Sequence, residues 1–133
     1  MREIWTGVQS IFTALGGFIG WYICGMDGLL YTLLTFMTVD YVTGVMCAIL
    51  ERKLSSQVGY RGLFKKALIL IMVGTGHAID SHVIGAGGVF RTAVICFYIS
   101  NEGLSFLENA ARIGLPIPDK LTDILIQLHK KEC

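Results

Sequence analysis

The residues of this sequence whose types and positions could do chemistry are ionisable side chains inside strongly apolar segments. Asp40 lies in the middle of the run TFMTVDYVTGVMCAIL. A charged aspartate near the centre of a membrane costs ~2.5–3.5 kcal/mol, so it must be protonated, paired or in contact with water. Asp40 therefore predicts a helix face that meets a protein partner or a wet cavity instead of lipid.

A second group of polar side chains follows one face of the last apolar segment. Counting about 100° per residue from Arg91, the same face carries Tyr98, Glu102, Ser105 and Asn109. Arg91 and Glu102 are ~16 Å apart along a helix and cannot neutralise each other directly. Two interpretations stay open: a buried network that joins the helices of a compact monomer, or a face that lines water in an oligomeric assembly.

The third apolar segment supplies a possible neighbour for Asp40. Counted from Lys66, His77 has about the same depth as Asp40, which predicts a hydrogen bond between them. The alternative is a histidine satisfied within its own helix by Asp80 or Thr75. The complete candidate pore or interface face comprises Asp40, His77, Asp80, Arg91, Tyr98, Glu102, Ser105 and Asn109.

No pattern in the sequence predicts catalysis or a bound group. There is no nucleophile with a base at recognisable spacing, no HExxH pair and no P-loop lysine. We therefore predict no enzyme activity, no cofactor and no metal. The formal net charge is +1, which gives no reason to expect nucleic acid as a partner.

The elements that must position these residues are apolar helices. The composition is 53% hydrophobic and 16% charged, a balance typical of membrane proteins. Each apolar segment approaches the ~20 residues that cross a bilayer as a helix. The sequence thus predicts an all-α integral membrane protein with one membrane domain. Its four predicted spans are residues 8–25, 28–50, 67–85 and 88–107.

The first segment is the weakest of the four, because it contains four glycines and polar side chains. It could lie in the membrane interface, and three spans is therefore the alternative to four. Gly16 and Gly20 form a GxxxG pair, and Gly44 is a small residue on the Asp40 helix. All three are candidates for close helix packing.

The charges between the segments predict the orientation. Loop 51–66 is strongly basic, and by the positive-inside tendency it is cytoplasmic. Both termini are then cytoplasmic, including the tail 108–133, in which Pro116 and Pro118 precede a short amphipathic helix starting near Asp119. The basic residues of the loop are Arg52, Lys53, Arg61, Lys65 and Lys66.

Two long blocks, residues 39–66 and 91–121, resemble the phage lysis and toxin-secretion holin family of Gram-positive bacteria and their phages. The resemblance implies a small protein that accumulates in the cytoplasmic membrane, oligomerises with its own kind and opens large lesions. Its functional partner would be an endolysin or a secreted toxin, without stable binding. The residues that carry the resemblance are Asp40, Tyr41, Gly44, Lys53, Gly59, Gly62, Lys65, Lys66, Arg91, Tyr98, Asn101, Glu102, Gly103, Glu108, Asn109, Gly114, Pro116 and Pro118.

Two other function classes fit the same polar stripe. One is a small oligomeric ion channel that never opens wide enough for a protein. The other is an antiholin or membrane scaffold that binds a partner holin and conducts nothing. The size of the solute released separates the three classes.

Overall fold

The computed structural model describes residues 1–25, 27–85 and 87–131, and every regular element in these ranges is helical. The predicted all-α class is therefore confirmed. Helix α3 ends in a π-helical turn, Asp80–Ile84. The five α-helices are α1 (Arg2–Tyr22), α2 (Gly28–Leu50), α3 (Ser56–Ile79), α4 (Val89–Ile113) and α5 (Asp119–Lys131).

Local capping explains where several of these helices begin and end. Asp27 accepts a hydrogen bond from the Leu30 backbone N–H at 2.8 Å, and Ser55 accepts one from Val58 at 3.2 Å. Both bonds satisfy an N–H that has no partner within the first helical turn. Gly114 ends α4 with a φ of 113°, a left-handed conformation that glycine adopts without a Cβ penalty.

The start of α3 differs from the prediction. Residues 56–66, assigned to the basic loop, form its first three turns, so the connection after α2 is only 51–55. Hydropathy marks only the apolar part of a helix, whereas the cap at Ser55 lies about three turns earlier. Arg61, Lys65 and Lys66 are consequently helical side chains.

Helices α2 and α4 lie side by side and run in the same direction, while α3 runs the opposite way. Asp27, just before α2, contacts Arg91 in the first turn of α4, and Glu51, just after α2, contacts Arg112 in the last turn of α4. Close packing of apolar side chains between these helices contributes van der Waals stabilisation. The core consists of Ile23, Leu30, Leu33, Met37, Ile69, Val73, Val94, Ile95 and Ile99.

Helix α1 is attached to this bundle only near its C-terminal end, and none of its residues is buried. The Tyr22 hydroxyl lies 3.2 Å from the Ile71 carbonyl oxygen and 3.0 Å from the Thr75 hydroxyl. The Tyr22 ring occupies the space of a side chain at Gly74, where a Cβ would lie 1.8 Å from a ring carbon. A single aromatic residue therefore anchors α1 on α3.

Two helical segments among the described residues are long and apolar enough to cross a membrane, Gly28–Leu50 and Ser56–Ile84. Both also present large apolar side chains on the outside of the bundle, such as Val42 and Leu68. Helices α1 and α4 each carry a polar face that lowers their hydropathy. Four spans, and the alternative of three, stay predictions.

Helix α5 begins at Asp119, as predicted, and folds back along α4. Its Leu125 methyl groups lie 3.0 and 3.1 Å from a Cβ built on Gly103, and the Phe36 ring of α2 lies 3.0 Å from the same point. Leu128, one turn further on, lines an apolar cavity beside α4. The absence of a side chain at Gly103 thus creates the contact between α5 and the bundle.

Candidate functional site

Three charged side chains from three helices meet inside the bundle, and we call them the Lys66 triad. The Lys66 Nζ of α3 lies 2.8 Å from Asp40 Oδ2 of α2 and 2.5 Å from Glu102 Oε2 of α4. Their side chains are 15%, 14% and 8% exposed, respectively. Short, shielded contacts between ionised groups are the strong class of hydrogen bond. The triad therefore joins α2, α3 and α4 at one level.

Asn109 extends the triad toward the C-terminal ends of α2 and α4. Its Nδ2 donates to Asp40 Oδ1 at 3.0 Å, to the Asp40 carbonyl oxygen at 3.2 Å and to Thr43 Oγ1 at 3.1 Å. The Cys47 thiol in turn donates to the Asn109 carbonyl oxygen at 3.3 Å. Gly44 lies beside this amide, with 3.7 Å between its built Cβ and Asn109 Nδ2. The amide thereby orients the Asp40 carboxylate that Lys66 contacts.

The triad borders an open cavity of about 340 Å³ between α2, α3 and α4, which Ser105 and Lys65 also line. One wall is the Tyr41 ring, which lies flat on α3. A Cβ built on Gly62 would be 3.1 Å from a Tyr41 ring carbon, and one on Gly59 would be 3.5 Å from its hydroxyl. The two glycines allow α2 and α3 to approach closely enough for Lys66 to reach Asp40.

Arg91 forms a second polar centre at the other end of the bundle, which we call the Arg91 clamp. Its Nη1 lies 2.7 Å from Asp27 Oδ2, its Nε 2.9 Å from the Ile23 carbonyl oxygen and its Nη2 3.4 Å from the Gly25 carbonyl oxygen. The Arg91 side chain is 7% exposed, whereas that of Asp27 is half-exposed. The hydrogen bond from Arg91 holds the pKa of Asp27 below its ordinary value of 3.8. One side chain thereby fixes the whole α1–α2 connection to α4.

Asp80 positions the backbone from which Arg91 projects. Its two carboxylate oxygens each accept a 2.8 Å hydrogen bond, one from the Phe90 N–H and one from the Arg91 N–H. Both N–H groups belong to the first turn of α4. The N-cap residue of this helix is Gly88, which has no side chain to accept a hydrogen bond from them. The buried Asp80 is thus a helix cap supplied by the preceding element.

A third ionic contact lies at the surface. Arg112 Nη2 is 2.6 Å from both carboxylate oxygens of Glu51, and the two side chains are 47% and 36% exposed. The Arg112 hydrogen bond lowers the pKa of Glu51. Exposed pairs of this kind add little stability, but they report which helix ends are neighbours.

The structure divides the predicted polar face into two groups. Asp40, Glu102, Ser105 and Asn109 come together around Lys66. His77, Asp80 and Arg91 line a separate cavity of about 440 Å³ at the far end of α3. Tyr98 belongs to neither, because its ring packs edge-on against Phe97 at a centroid distance of 4.9 Å. The role of these residues as a pore or interface face stays a prediction.

The predicted hydrogen bond between Asp40 and His77 is wrong. Among the described residues, Asp40 is bonded to Lys66 and Asn109, while His77 Nδ1 lies 3.5 Å from Ser81 Oγ. The depth estimate failed because it placed Lys66 at the membrane edge. Lys66 itself reaches the level of Asp40, so His77 lies ~16 Å further along α3.

The predicted packing glycines have different surroundings. Gly44 lies in the contact between α2 and α4 described above. Within the described residues nothing lies within 4 Å of a Cβ built on Gly16 or Gly20. If these two glycines pack against a helix, that helix belongs to another molecule.

Sequence reasoning missed two residues of these centres. Lys66 was counted as a loop residue, and Asp27 as part of a tight turn. Neither has a periodic relation to its partner, since Asp40 is 26 residues and Arg91 64 residues away. The available signal was charge balance: an apolar bundle with buried Asp40, Glu102 and Arg91 needs groups of opposite sign nearby.

The geometry defines an all-helical protein whose buried Asp80, Arg91 and Glu102 have partners within one chain. A model of the bacteriophage holin family matches residues 17–130, and the chain belongs to that family. The resemblance inferred from the two sequence blocks is thereby confirmed. Family membership and the two apolar segments together indicate a membrane protein, and membership implies a protein without catalytic activity.

Relatives cover nearly the whole chain. A probable holin of Bacillus phage phi105 is 38% identical over 122 residues, which are 92% of this chain and 86% of that protein. An uncharacterized 14.9 kDa protein of Clostridium perfringens is 41% identical over 132 residues, which are 99% of this chain and 100% of the relative. An uncharacterized protein of Listeria monocytogenes is 36% identical over 116 residues, 87% and 82% of the two chains. No solved structure gives a significant match.

Proposed function

We propose that this protein accumulates in the cytoplasmic membrane as a dispersed monomer and then oligomerises to open lesions that release an endolysin or a toxin. Both termini lie in the cytoplasm in this proposal, and the time of assembly sets the time of lysis. Membership of the holin family and the similarity to a probable phage holin support the proposal.

The single observation that carries it is the pairing of the polar stripe inside one chain. An unpaired aspartate or arginine at the centre of a bilayer costs ~2.5–3.5 kcal/mol. Lys66 contacts both Asp40 and Glu102, and Arg91 contacts Asp27. The charges of the stripe therefore need no second copy to remain in lipid, which is what harmless accumulation requires.

The triad also gives a physical reason why assembly can follow. It holds two carboxylates and one ammonium, so its formal charge is −1 when all three groups are ionised. An uncompensated charge in a medium of low dielectric constant is unfavourable. Contact with water or with polar groups of neighbouring copies relieves that cost, and so favours the oligomer over the isolated chain.

The decisive experiment is induced expression in a bacterium that also makes a cytoplasmic muralytic enzyme. Membrane potential, optical density and release of size-graded cytoplasmic proteins are recorded together. We expect an abrupt loss of potential, then enzyme-dependent lysis with release of folded protein. Depolarisation without protein release would instead identify a small ion channel, and no effect would identify an antiholin or scaffold.

The role of the stripe is tested in the same cells. We expect Asp40→Leu, Arg91→Leu and Glu102→Leu to shift the onset of lysis. Asp40→Leu and Glu102→Leu each change the formal charge of the triad from −1 to 0, whereas Arg91→Leu leaves Asp27 without a counter-charge. The matched control is Arg61→Leu, which removes an exposed positive charge of α3 outside the lining of the triad cavity. If these variants insert and lyse cells on the normal schedule, the side chains of the stripe serve only to pack the helices.

A further inference from the structure

Helix α5 carries a group of polar side chains that no other described helix covers. Lys120, Asp123, Gln127 and Lys130 are all exposed. At about 100° per residue they lie on the side of α5 opposite Leu125, which packs on Gly103. We call these four residues the α5 polar face. The helix is therefore amphipathic, with its apolar side on α4.

The contact with Gly103 places this helix deep along the bundle. Gly103 lies beside Phe36, which is ~21 Å from the C-terminal end of α2. Since α2 is long and apolar enough to cross a membrane, Leu125 lies at the level of the hydrocarbon when α2 does so. Leu128 continues further in the same direction, beside Phe97 and Tyr98 of α4.

Neither lipid nor the membrane surface suits a polar face at that level. Each charged residue facing lipid near the centre costs ~2.5–3.5 kcal/mol. An amphipathic helix on the membrane surface buries its apolar side only ~5–10 Å deep. The docked position of α5 therefore requires water beside its polar face within the thickness of the bilayer.

We propose that α5, docked on α4 through Leu125 and Gly103, forms part of the wall of the aqueous lesion, with Lys120, Asp123, Gln127 and Lys130 facing the water. The inference rests on the proposed function and names a surface that the open assembly wets in addition to the stripe. In this conformation the Lys66 triad and the Arg91 clamp are turned inward.

Helix α1 is the other exposed amphipathic helix, and its polar side has no comparable need for water. The hydroxyls of Thr6, Ser10 and Thr13 each donate to the carbonyl oxygen four residues earlier, at 2.8–2.9 Å. That side carries no charge between Glu3 and Asp27. The α5 polar face differs because its three charges have no such internal bond among the described contacts.

The test fixes α5 in the docked position and asks what surrounds it. Gly103→Cys with Leu125→Cys places two thiols at the contact, and Glu108→Cys with Thr122→Cys is a second pair in case the first disturbs packing at Phe36. A short thiol cross-linker closes each pair in proteoliposomes loaded with a folded reporter protein. The chain with only its native cysteines, treated identically, is the control.

A fluorescent amino acid introduced in place of Gln127 then reports the environment of the polar face. The matched control carries the fluorescent amino acid in place of Leu68, which is exposed on α3. Leu68 is about 3 Å along the helix from Lys66, and Lys66 contacts Glu102, the neighbour of Gly103, so positions 68 and 103 lie near the same level. Iodide quenches a fluorophore in water, and spin-labelled lipid quenches one in hydrocarbon.

We expect the cross-linked chains to release the reporter protein. In these chains iodide should quench the fluorophore at position 127, and spin-labelled lipid should quench the one at position 68. Release with lipid quenching at position 127, or iodide quenching at both positions, would overturn the inference and leave the proposed function standing. The inference would also be overturned if both cross-linked variants failed to release the reporter protein while the control released it. If the uncross-linked control releases nothing, the proposed function itself fails.

Discussion

Lys66 of α3 and Glu102 of α4 are joined by a 2.5 Å contact between Nζ and Oε2, and the same ammonium group bonds Asp40 of α2. One lysine therefore neutralises acids on two different helices. Because Lys66 is the only positive group in this triad, the arrangement of all three helices depends on it more than on either acid.

Replacing Lys66 by methionine tests that dependence. The change keeps the length of the side chain but leaves two carboxylates close together without a counter-charge, and loss of one partner from a buried pair typically costs about 3–5 kcal/mol. We expect a clear decrease in the midpoint of thermal unfolding in detergent. Lys53→Met, at an exposed lysine outside the lining of the triad cavity, should unfold close to the parent temperature. Equal midpoints for both variants would contradict a structural role for the triad.

Asn109→Leu removes the amide that holds Asp40. Its Nδ2 has three acceptors, so the variant removes a donor shared by half-buried oxygens of Asp40 and Thr43, at about 1–3 kcal/mol. We expect lower thermal stability and faster hydrogen exchange in the middle of α2. The control is Asn101→Leu, since this exposed asparagine of α4 lines the same cavity but has no described bond to Asp40. If the two leucine variants exchange alike, the amide does not support α2.

The Asp27–Arg91 contact predicts an acid-sensitive attachment of the α1–α2 connection. The pKa of Asp27 is lowered in the folded protein, so its contribution to stability is complete well above pH 3.8 and is lost as pH falls through the lowered value. We expect proteolysis between α1 and α2 to increase over that acidic range. Asp27→Asn keeps an acceptor for the helix cap but removes the charge, and it should be cleaved readily already at neutral pH. Glu3→Gln, which changes an exposed acid of α1, should follow the parent profile.

Gly74→Ala tests the anchor of α1. The new Cβ would lie 1.8 Å from the Tyr22 ring, so the ring must leave its place on α3 and lose its hydrogen bonds to Ile71 and Thr75. We expect faster hydrogen exchange at the C-terminal end of α1, while α2 and α4 keep their protection. Gly17→Ala is the control, since its Cβ would point into open space and alanine favours the helix by up to ~1 kcal/mol. Unchanged protection around Tyr22 would show that α1 has another attachment.

Part of this architecture was available from the sequence because it depends on local patterns. The apolar run after Gly28 predicts α2, and the prolines followed by leucines at helical spacing predict α5 from Asp119. Charges in apolar segments also identified the residues of both polar centres, apart from Lys66 and Asp27. Each of these signals lies within about two turns of chain.

The partners of those charges were not available, because they depend on contacts between distant helices. His77 was chosen for Asp40 by counting depth from Lys66, and the count failed when α3 proved to begin at Ser56. Periodicity also placed Arg91 and Tyr98 on one face, yet it does not show that one side chain folds toward Asp27 and the other packs on Phe97. Long side chains reach a full helical turn or more, which linear spacing ignores.

The contacts at the two ends of the parallel pair α2 and α4 have a mechanical consequence. Sliding α4 along α2 by one helical turn is a movement of ~5.4 Å, which would separate both Asp27 from Arg91 and Glu51 from Arg112. The two contacts therefore oppose a change of register between these helices. Helices α1 and α5 are attached outside this pair, so we expect them to change position before α2 and α4 do.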